Sequence, residues 1–227
     1  DYSLNVNQVR AVEAAELVVI SGAGLEEFME DLLQNREVID SSVGVPLAEC
    51  EESHHNHDHH HHELDNHIWL SPANAKIMAT NICSGLSDRF PQHRAAFEAN
   101  LAELLAELDA LQAYGEETLS QLSCRELVTF HDGFSYFAES FDLTILEAVE
   151  EESGSEASAQ ELKHLIGIVR EHGLSAIFTE TNGSVSAADV IARETGVSIG
   201  TLDMAMGGDS YFEAMYHNIN TIKEALG

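Results

Sequence analysis

The chain has 227 residues, and its 40 acidic residues against 10 lysines and arginines give a formal net charge of −30 at pH 7. This length suits one large domain or two small ones, and a hydrophobic content of 44% is enough for a buried core. The acid excess excludes nucleic acid and anionic membrane surfaces as partners, and it attracts cations. The alternative is that the acidity only keeps a secreted or halotolerant protein soluble.

The first third of the sequence alternates helical and strand patterns. A short helical pattern at Val9–Glu16 precedes the apolar run Leu17–Ile20, which is typical of a strand buried on both faces. A glycine-rich turn then leads to a predicted helix from about Glu26 to Asn35, and Val38–Asp40 is a second predicted strand. The first third therefore has the pattern of an α/β lobe.

A histidine-rich run follows the second strand. Eight of the thirteen histidines lie between His54 and His67, mixed with Asp, Glu and Asn. Neutral imidazole is the commonest protein ligand for zinc, and carboxylates add donors, so the run predicts an auxiliary, low-affinity metal loop. The alternatives are a purification tag, which is normally terminal and unbroken, and a solvated insertion without a binding role. The predicted loop ligands are His54, His55, His57, His59, His60, His61 and His62.

Two helical patterns occupy the middle of the chain. Ser71 can cap the first of them, and Pro72 suits its first turn; the pattern ends near Phe90. The second runs from about Gln92 to Leu122, far beyond the mean helix length of about 11–12 residues. It is either a strut between two lobes or a coiled-coil segment. No stretch of the sequence is long and apolar enough to cross a bilayer.

Strands alternate cleanly with helices in the last hundred residues, which predicts a doubly wound lobe. We therefore predict an α/β fold with two doubly wound lobes: an amino-terminal lobe at 1–91 with the His-rich loop at 51–66, a linking helix at 92–123, and a carboxy-terminal lobe at 124–227. The predicted strands of the second lobe are Leu127–Phe130, Thr144–Leu146, Ala176–Phe178 and Val197–Leu202, and the predicted helices are Phe134–Phe141, Ser158–His172, Ser186–Thr195 and Tyr211–Leu226.

Four metal-binding side chains follow predicted loops or strands. His67 follows the His-rich loop, and His131, Glu180 and Asp203 each come at or near the end of a strand. Because ligands bind outside the carboxyl ends of strands in α/β sheets, two imidazoles and one or two carboxylates predict a mixed nitrogen and oxygen site for a divalent ion. Taken singly, each residue could equally make an ordinary loop hydrogen bond.

Several segments resemble the zinc- and manganese-binding solute-binding proteins of ABC transporters, known as cluster A-I. Asp65–Pro72 reads D-N-H-I-W-L-S-P and is similar to the family's D-x-H-x-W-L-S-P, and Phe130–Phe137 is similar to its F-H-D-A-F/Y-x-Y-F. Thr201–Asp203 and the following Gly-Gly-Asp-Ser-Tyr resemble its last ligand segment. The His-rich loop is typical of the zinc branch. The resemblance covers essentially the whole chain.

The resemblance implies one zinc ion in a cleft between two lobes, with His67, His131 and Asp203 as ligands and Glu180 orienting a ligand. It also implies a first histidine immediately before Asp1, together with an upstream strand and helix, so we expect an incomplete amino-terminal lobe. The implied protein is a non-enzymatic monomer that delivers zinc to an ABC permease. Its implied location is extracytoplasmic, either periplasmic or lipid-anchored at the outer face of the membrane.

Two further interpretations remain. A manganese-binding member or adhesin of the same family is the first, although His131 occupies a position where the manganese branch tends to have Glu. A zinc hydrolase is the second; Glu180 could act as its base, but the sequence has no His-Glu-x-x-His motif. A thiolate zinc site is disfavoured because Cys50, Cys83 and Cys124 form no Cys-x-x-Cys pair.

Overall fold

A computed structural model describes residues 4–48, 64–149, 158–181, 183, 185–207 and 210–227. The chain divides into two compact units, one of residues 1–69 and 73–108 and the other of residues 70–72 and 109–227. The seven histidines of the predicted metal loop, at positions 54 to 62, lie outside the described residues. The domain boundaries near 91 and 123 stay a prediction. Within the described ranges, no helix is long and apolar enough to span a membrane.

A short parallel sheet organises the first unit. Helix α1 (Val6–Ala14) begins after Asn5, whose side chain closes a capping box with Gln8. Strand β1 (Val18–Ile20) follows, and it pairs in parallel with β2 (Val38–Asp40). These strands lie where the sequence predicts them, because short apolar runs between turn residues are the pattern of parallel strands.

The connection between β1 and β2 is less helical than the sequence predicts. The predicted helix from Glu26 is a 3-10 turn at Glu27–Met29 followed by the single turn of α2 (Glu30–Leu33). The Glu26 carboxylate folds back and accepts hydrogen bonds from the backbone N–H groups of Ser21 at 2.7 Å and Gly22 at 3.0 Å. Since this carboxylate closes the loop after β1, regular helix begins only after it.

Two longer helices follow the His-rich region. Helix α3 (Pro72–Arg89) stops before a 3-10 turn at Pro91–His93, because a proline disfavours helical geometry at the residue before it. Helix α4 (Arg94–Leu119) then runs for 26 residues, which confirms the long predicted helix. Its carboxyl end is satisfied by the Arg125 guanidinium, which donates to the carbonyl oxygen of Leu119 at 2.8 Å.

The second unit has a parallel sheet with helices after each strand. In the described residues the strand order is β4-β3-β5-β6, with every neighbouring pair parallel, as the doubly wound prediction requires. The elements in chain order are β3 (Glu126–Thr129), α5 (Ser135–Ser140), β4 (Thr144–Ala148), α6 (Ala159–His172), β5 (Ala176–Glu180), α7 (Ser186–Thr195), β6 (Ser198–Leu202) and α8 (Tyr211–Leu226).

Apolar side chains from strands and helices form the core of this unit. Helices α6 and α7 pack with the strands, and α8 lies against β6 and buries Met215, Ile219 and Ile222 completely. A residue such as Leu or Ile that is fully removed from water contributes about 1.5–3 kcal/mol. The buried apolar residues therefore stabilise the sheet whose strands lead into the loops at its carboxyl end. The α6–α7 cluster contains Val128, Phe130, Leu165, Val169, Leu174, Ile177, Ala187, Ala188 and Ile191.

Candidate metal site

The strand order of the second unit creates one crevice where a ligand can bind. From β3 the chain passes to β4 on one side of the sheet and then crosses to β5 on the other side. The connections that leave β3 and β5 therefore diverge, and ligands of open α/β sheets bind at this switch point, outside the carboxyl ends of the strands. The residues that follow β3 and β5 are the first candidates for a binding site.

His131 and Glu180 lie at this switch point. Thr129 pairs with Phe178, so His131 and Glu180 stand at the same level of adjacent strands. Their side chains approach each other, with 3.9 Å between His131 Nδ1 and Glu180 Oε2. This distance is too long for a hydrogen bond but close enough for the carboxylate to influence how the ring is oriented.

Gly133 leaves room for the His131 ring. A Cβ atom at position 133 would lie 2.9 Å from His131 Nε2 and 2.7 Å from the terminal methyl of Met204. The imidazole and the residue after Asp203 therefore share the space above this glycine. The family pattern quoted above has alanine at this position, so the chain differs from that pattern at the edge of the candidate site.

Asp203 follows β6, the next strand beyond β5. Because Glu180 pairs with Leu202, Asp203 stands one residue past the level of Glu180. Its carboxylate Oδ1 accepts a hydrogen bond from the N–H of Ala205 at 2.7 Å. Its backbone N–H donates to Asn218 Oδ1, and its carbonyl oxygen accepts from Asn218 Nδ2, both at 2.7 Å. Both the side chain and the backbone of this residue are therefore held in place.

A pocket of about 420 Å³ adjoins Asp203 and is lined in part by Glu213, His217 and Tyr211. Burial raises the pKa of Tyr211 above its ordinary value of 10.0. Its hydroxyl is therefore a neutral phenol at physiological pH. It can donate a hydrogen bond there, but it supplies no phenolate ligand for a metal ion.

His67 belongs to the first unit and stands just before the 3-10 turn Ile68–Leu70. Its ring Nδ1 and its backbone N–H both lie 2.9 Å from the same oxygen, Oδ1 of Asp65, and Asp65 is only 4% exposed. A neutral ring that donates from Nδ1 has its lone pair on Nε2. A histidine that ligates a metal commonly donates its other ring N–H to a carboxylate in this way. The Trp69 ring, 5.5 Å away between centroids, also limits where the imidazole can lie.

The structure therefore places three of the four predicted site residues, His131, Glu180 and Asp203, on adjacent strand ends of one sheet. Among the described residues, no three His, Cys, Asp or Glu side chains are grouped closely enough to hold a metal ion. The ligand set of His67, His131 and Asp203, with Glu180 as an orienting residue, stays a prediction.

Two residues next to the predicted ligands were missed by sequence reasoning as functional positions. Asp65 lies inside the quoted motif, and its spacing of two residues from His67 is the signal that could have identified it as the partner of the ring. Asn218 lies on an otherwise apolar face of α8, between Met215, Ile219 and Ile222, where a polar residue calls for a buried partner.

Comparisons with known proteins identify the group to which these features correspond. A family model described as zinc-uptake complex component A, periplasmic (ZnuA), matches residues 1–225. A protein of Treponema pallidum (strain Nichols) described as metal-binding is 30% identical over 239 residues, which cover 99% of this chain and 76% of that protein. The zinc-binding lipoprotein AdcA of Streptococcus pneumoniae serotype 4 is 27% identical over 242 residues. That match covers 99% of this chain but 48% of AdcA, so the chain spans about half the length of that relative.

Solved structures agree with the sequence comparisons. A crystal structure of ZnuA matches with a TM-score of 0.88 and 33% identity, covering 100% of this chain and 86% of that chain. A mutant of the laminin-binding adhesin Lmb from Streptococcus agalactiae matches with a TM-score of 0.86 and 25% identity, again covering 100% and 86%. The predicted α/β class with parallel sheets and a long helix is confirmed by this likeness and by the elements described above.

Proposed function

This chain belongs to the family of periplasmic zinc-uptake complex A components, and we propose that it captures Zn²⁺ tightly and delivers it to an ABC import permease. Family membership confirms the predicted class, an extracytoplasmic zinc-binding solute-binding protein. The family is that of a metal-binding transport component. We propose that the chain binds and releases zinc without catalysing a reaction.

One observation carries the proposal most strongly. Two side chains of types that can bind a metal, His131 and Asp203, flank the end of the strand that carries Glu180, at the carboxyl edge of a single sheet. Imidazole nitrogen and carboxylate oxygen are the ligand types that zinc takes in sites without cysteine. The strands rest on a cluster of buried apolar residues, and a site held on such strands loses less conformational freedom when it binds a ligand.

The sheet geometry indicates where the ion would lie. Neighbouring strands are about 4.8 Å apart, so the backbones of His131 and Asp203, with β5 between them, are separated by about 10 Å. Two side chains and two metal–ligand bonds of about 2 Å can cover that distance. An ion bound by both would lie over the end of β5, close to Glu180. That position supports Glu180 as the carboxylate that orients His131.

The first unit would supply His67 as a further imidazole. The support for this ligand is its contact with buried Asp65, which selects the tautomer with the Nε2 lone pair, together with the motif resemblance. The histidines at positions 54 to 62 would bind additional ions weakly.

A manganese-binding role is the second candidate, since one of the similar structures, at 23% identity, is of a manganese-bound periplasmic metal-binding protein. Manganese favours sites with more oxygen and fewer imidazole ligands. His131 therefore favours zinc over manganese in this chain. Competition between the two ions for one protein sample distinguishes the candidates directly.

The experiment is a chelator-competition titration of the full protein with Zn²⁺ and with Mn²⁺. The variants are His131→Ala and Asp203→Ala, and the control is His172→Ala. His172 Nδ1 lies 3.0 Å from the Glu126 carboxylate, a similar imidazole–carboxylate pair, but Glu126 begins β3 and so lies at the opposite end of the strand. We expect one tight zinc equivalent that both site variants weaken by at least ten-fold and the control leaves unchanged.

Tight binding of manganese in preference to zinc would overturn the choice of metal. Equal zinc affinity in the wild type and both site variants would overturn the ligand assignment, whatever the total number of zinc ions bound.

A further inference from the structure

The outer edge of β6 is satisfied by side chains rather than by another strand. In the described sheet β6 stands at one end of the order β4-β3-β5-β6. The carbonyl oxygen of Leu202 accepts a hydrogen bond from the N–H of Thr181, so Leu202 points its backbone groups toward β5. Backbone groups alternate in direction along a strand, and those of Thr201 and Asp203 therefore point outward.

Helix α8 provides the partners for this edge. The His217 ring donates from Nε2 to the carbonyl oxygen of Thr201 at 2.9 Å. One residue further along the helix, Asn218 takes both backbone groups of Asp203: Oδ1 accepts from the N–H and Nδ2 donates to the carbonyl oxygen, each at 2.7 Å. The amide thus takes the place of a neighbouring strand at the one residue proposed as the carboxylate ligand.

The orientation of the Asn218 amide is dictated by its partner. An N–H group needs an acceptor and a carbonyl oxygen needs a donor, so only one of the two flips of the amide satisfies Asp203. Asn218 is 0% exposed, so its amide makes both bonds from a fully buried position. Loss of these bonds would remove the contacts that hold the end of β6. A buried polar group without a partner costs about 1–3 kcal/mol, which a shift of the strand end can relieve.

A turn after Asp203 links the position of its carboxylate to the position of its backbone. Asp203 Oδ1 accepts from the N–H of Ala205, which has φ 55°, a left-handed conformation that costs a residue with a Cβ about 1–2 kcal/mol. The turn is strained and depends on the carboxylate for one of its hydrogen bonds. A shift of the Asp203 backbone would therefore move the carboxylate as well.

We propose that Asn218 is a positioning residue for zinc binding: it does not touch the ion but holds Asp203 so that its carboxylate reaches the ion. This inference rests on the proposed zinc function and extends it to a residue of the closing helix. It assigns to α8 a role in metal affinity in addition to its role in packing.

The test uses two substitutions in the full protein, Asn218→Leu and Asn218→Ala. Leucine has the same number and branching of heavy side-chain atoms but makes neither hydrogen bond, and alanine removes both without adding bulk. The control is Asn220→Ala on the same helix; the Asn220 side chain accepts a hydrogen bond from the Tyr114 hydroxyl at 2.7 Å, whereas the Asp203 backbone is bonded by Asn218. Zinc affinity is measured by chelator competition, which isolates the tight site, at a temperature where circular dichroism shows every variant to be folded.

We expect both Asn218 variants to weaken tight zinc binding by about ten-fold, as is typical when an outer partner of a metal ligand is lost. The control keeps the wild-type affinity. Each Asn218 substitution is then repeated in the Asp203→Ala background, where it is expected to have no further effect on affinity because the ligand that it positions is gone.

A second readout covers the case in which a variant is less stable. Zinc stabilises the folded state according to its affinity, so the zinc-induced rise in melting temperature can be compared between variants of different intrinsic stability. A residue that acts only in packing would lower the melting temperature equally with and without zinc. A positioning residue lowers it more with zinc than without.

The outcomes separate this inference from the function on which it rests. If Asp203→Ala weakens zinc binding and the Asn218 variants do not, the positioning role is overturned and the zinc function stands. If Asn218 variants weaken binding equally with and without Asp203, the effect does not act through Asp203, and the inference is again overturned. If the wild type shows no tight zinc equivalent, the proposed function and the inference fall together.

Discussion

Substitution of Asp65 tests how much of the zinc affinity depends on the orientation of His67. The Asp65 oxygen Oδ1 accepts two hydrogen bonds from His67, one from the backbone and one from the ring, each 2.9 Å long. Asp65→Asn keeps an oxygen acceptor of the same shape but removes the charge. Asp65→Ala removes both bonds.

The expected magnitudes follow from these contacts. Hydrogen bonds to a charged group contribute about 1.5–3 kcal/mol each, and His67 is partly exposed, so we expect Asp65→Ala to lower the free energy of unfolding by about 2–3 kcal/mol. Asp65→Asn keeps the geometry and should cost about 1 kcal/mol or less. Loss of a carboxylate behind a metal-binding histidine weakens metal affinity by about 10–100-fold, so we expect about ten-fold for Asn and more for Ala.

The assay combines denaturant unfolding without zinc and chelator competition with zinc. Glu37→Gln is the control, because the Glu37 carboxylate contacts Arg89 at 3.0 Å but is 54% exposed, and such surface pairs contribute about 0–1 kcal/mol. We expect the control to retain the wild-type zinc affinity. Wild-type affinity in Asp65→Asn would refute the argument that a charged carboxylate prepares His67 for zinc.

Three other predictions concern different parts of the protein. Zinc affinity measured calorimetrically should be weaker at pH 5.5 than at pH 7.5, since protons compete for imidazoles whose ordinary pKa is about 6.5; equal values would argue against imidazole ligands. Deletion of residues 52–63 should remove weak zinc equivalents from the titration and leave the tight one, whereas loss of the tight equivalent would show that its ligands lie in the loop. Arg125→Ala removes hydrogen bonds to the carbonyl oxygens of Leu119, Phe141 and Asp142 and should lower the free energy of unfolding by about 2–4 kcal/mol in denaturant titrations; unchanged stability would contradict this reading of the contacts.

The strand ends of the second unit could be predicted because their signal is local. Apolar runs bounded by polar residues mark buried parallel strands, and a histidine or carboxylate directly after such a run must lie near the carboxyl edge of the sheet. His131, Glu180 and Asp203 were identified in this way. Their relative level was not predictable, because it depends on register, which is set by pairing between residues far apart in sequence.

Prediction failed where a single side chain overrides a pattern. The segment after Glu26 has the composition of a helix, but the carboxylate of Glu26 binds the backbone of the preceding loop instead.

The apolar run around Val19 predicted a strand buried on both faces, yet Val19 is 44% exposed. Apolar composition shows that a strand can be buried; how far it is buried depends on which neighbours cover it, and in the described residues β1 pairs only with β2.

The importance of Asn218 follows from topology. Read along the sequence, it is one polar residue on a helix whose other inward residues are apolar, which calls for a buried partner without identifying it. Only the placement of β6 at the edge of the described sheet gives it a partner, because a central strand would have satisfied the Asp203 backbone by pairing. A carboxylate on an edge strand can reach a crevice without a further strand beside it, but its backbone then needs another source of hydrogen bonds. The closing helix supplies them, and we therefore expect metal affinity to respond to substitutions on α8 that face this edge.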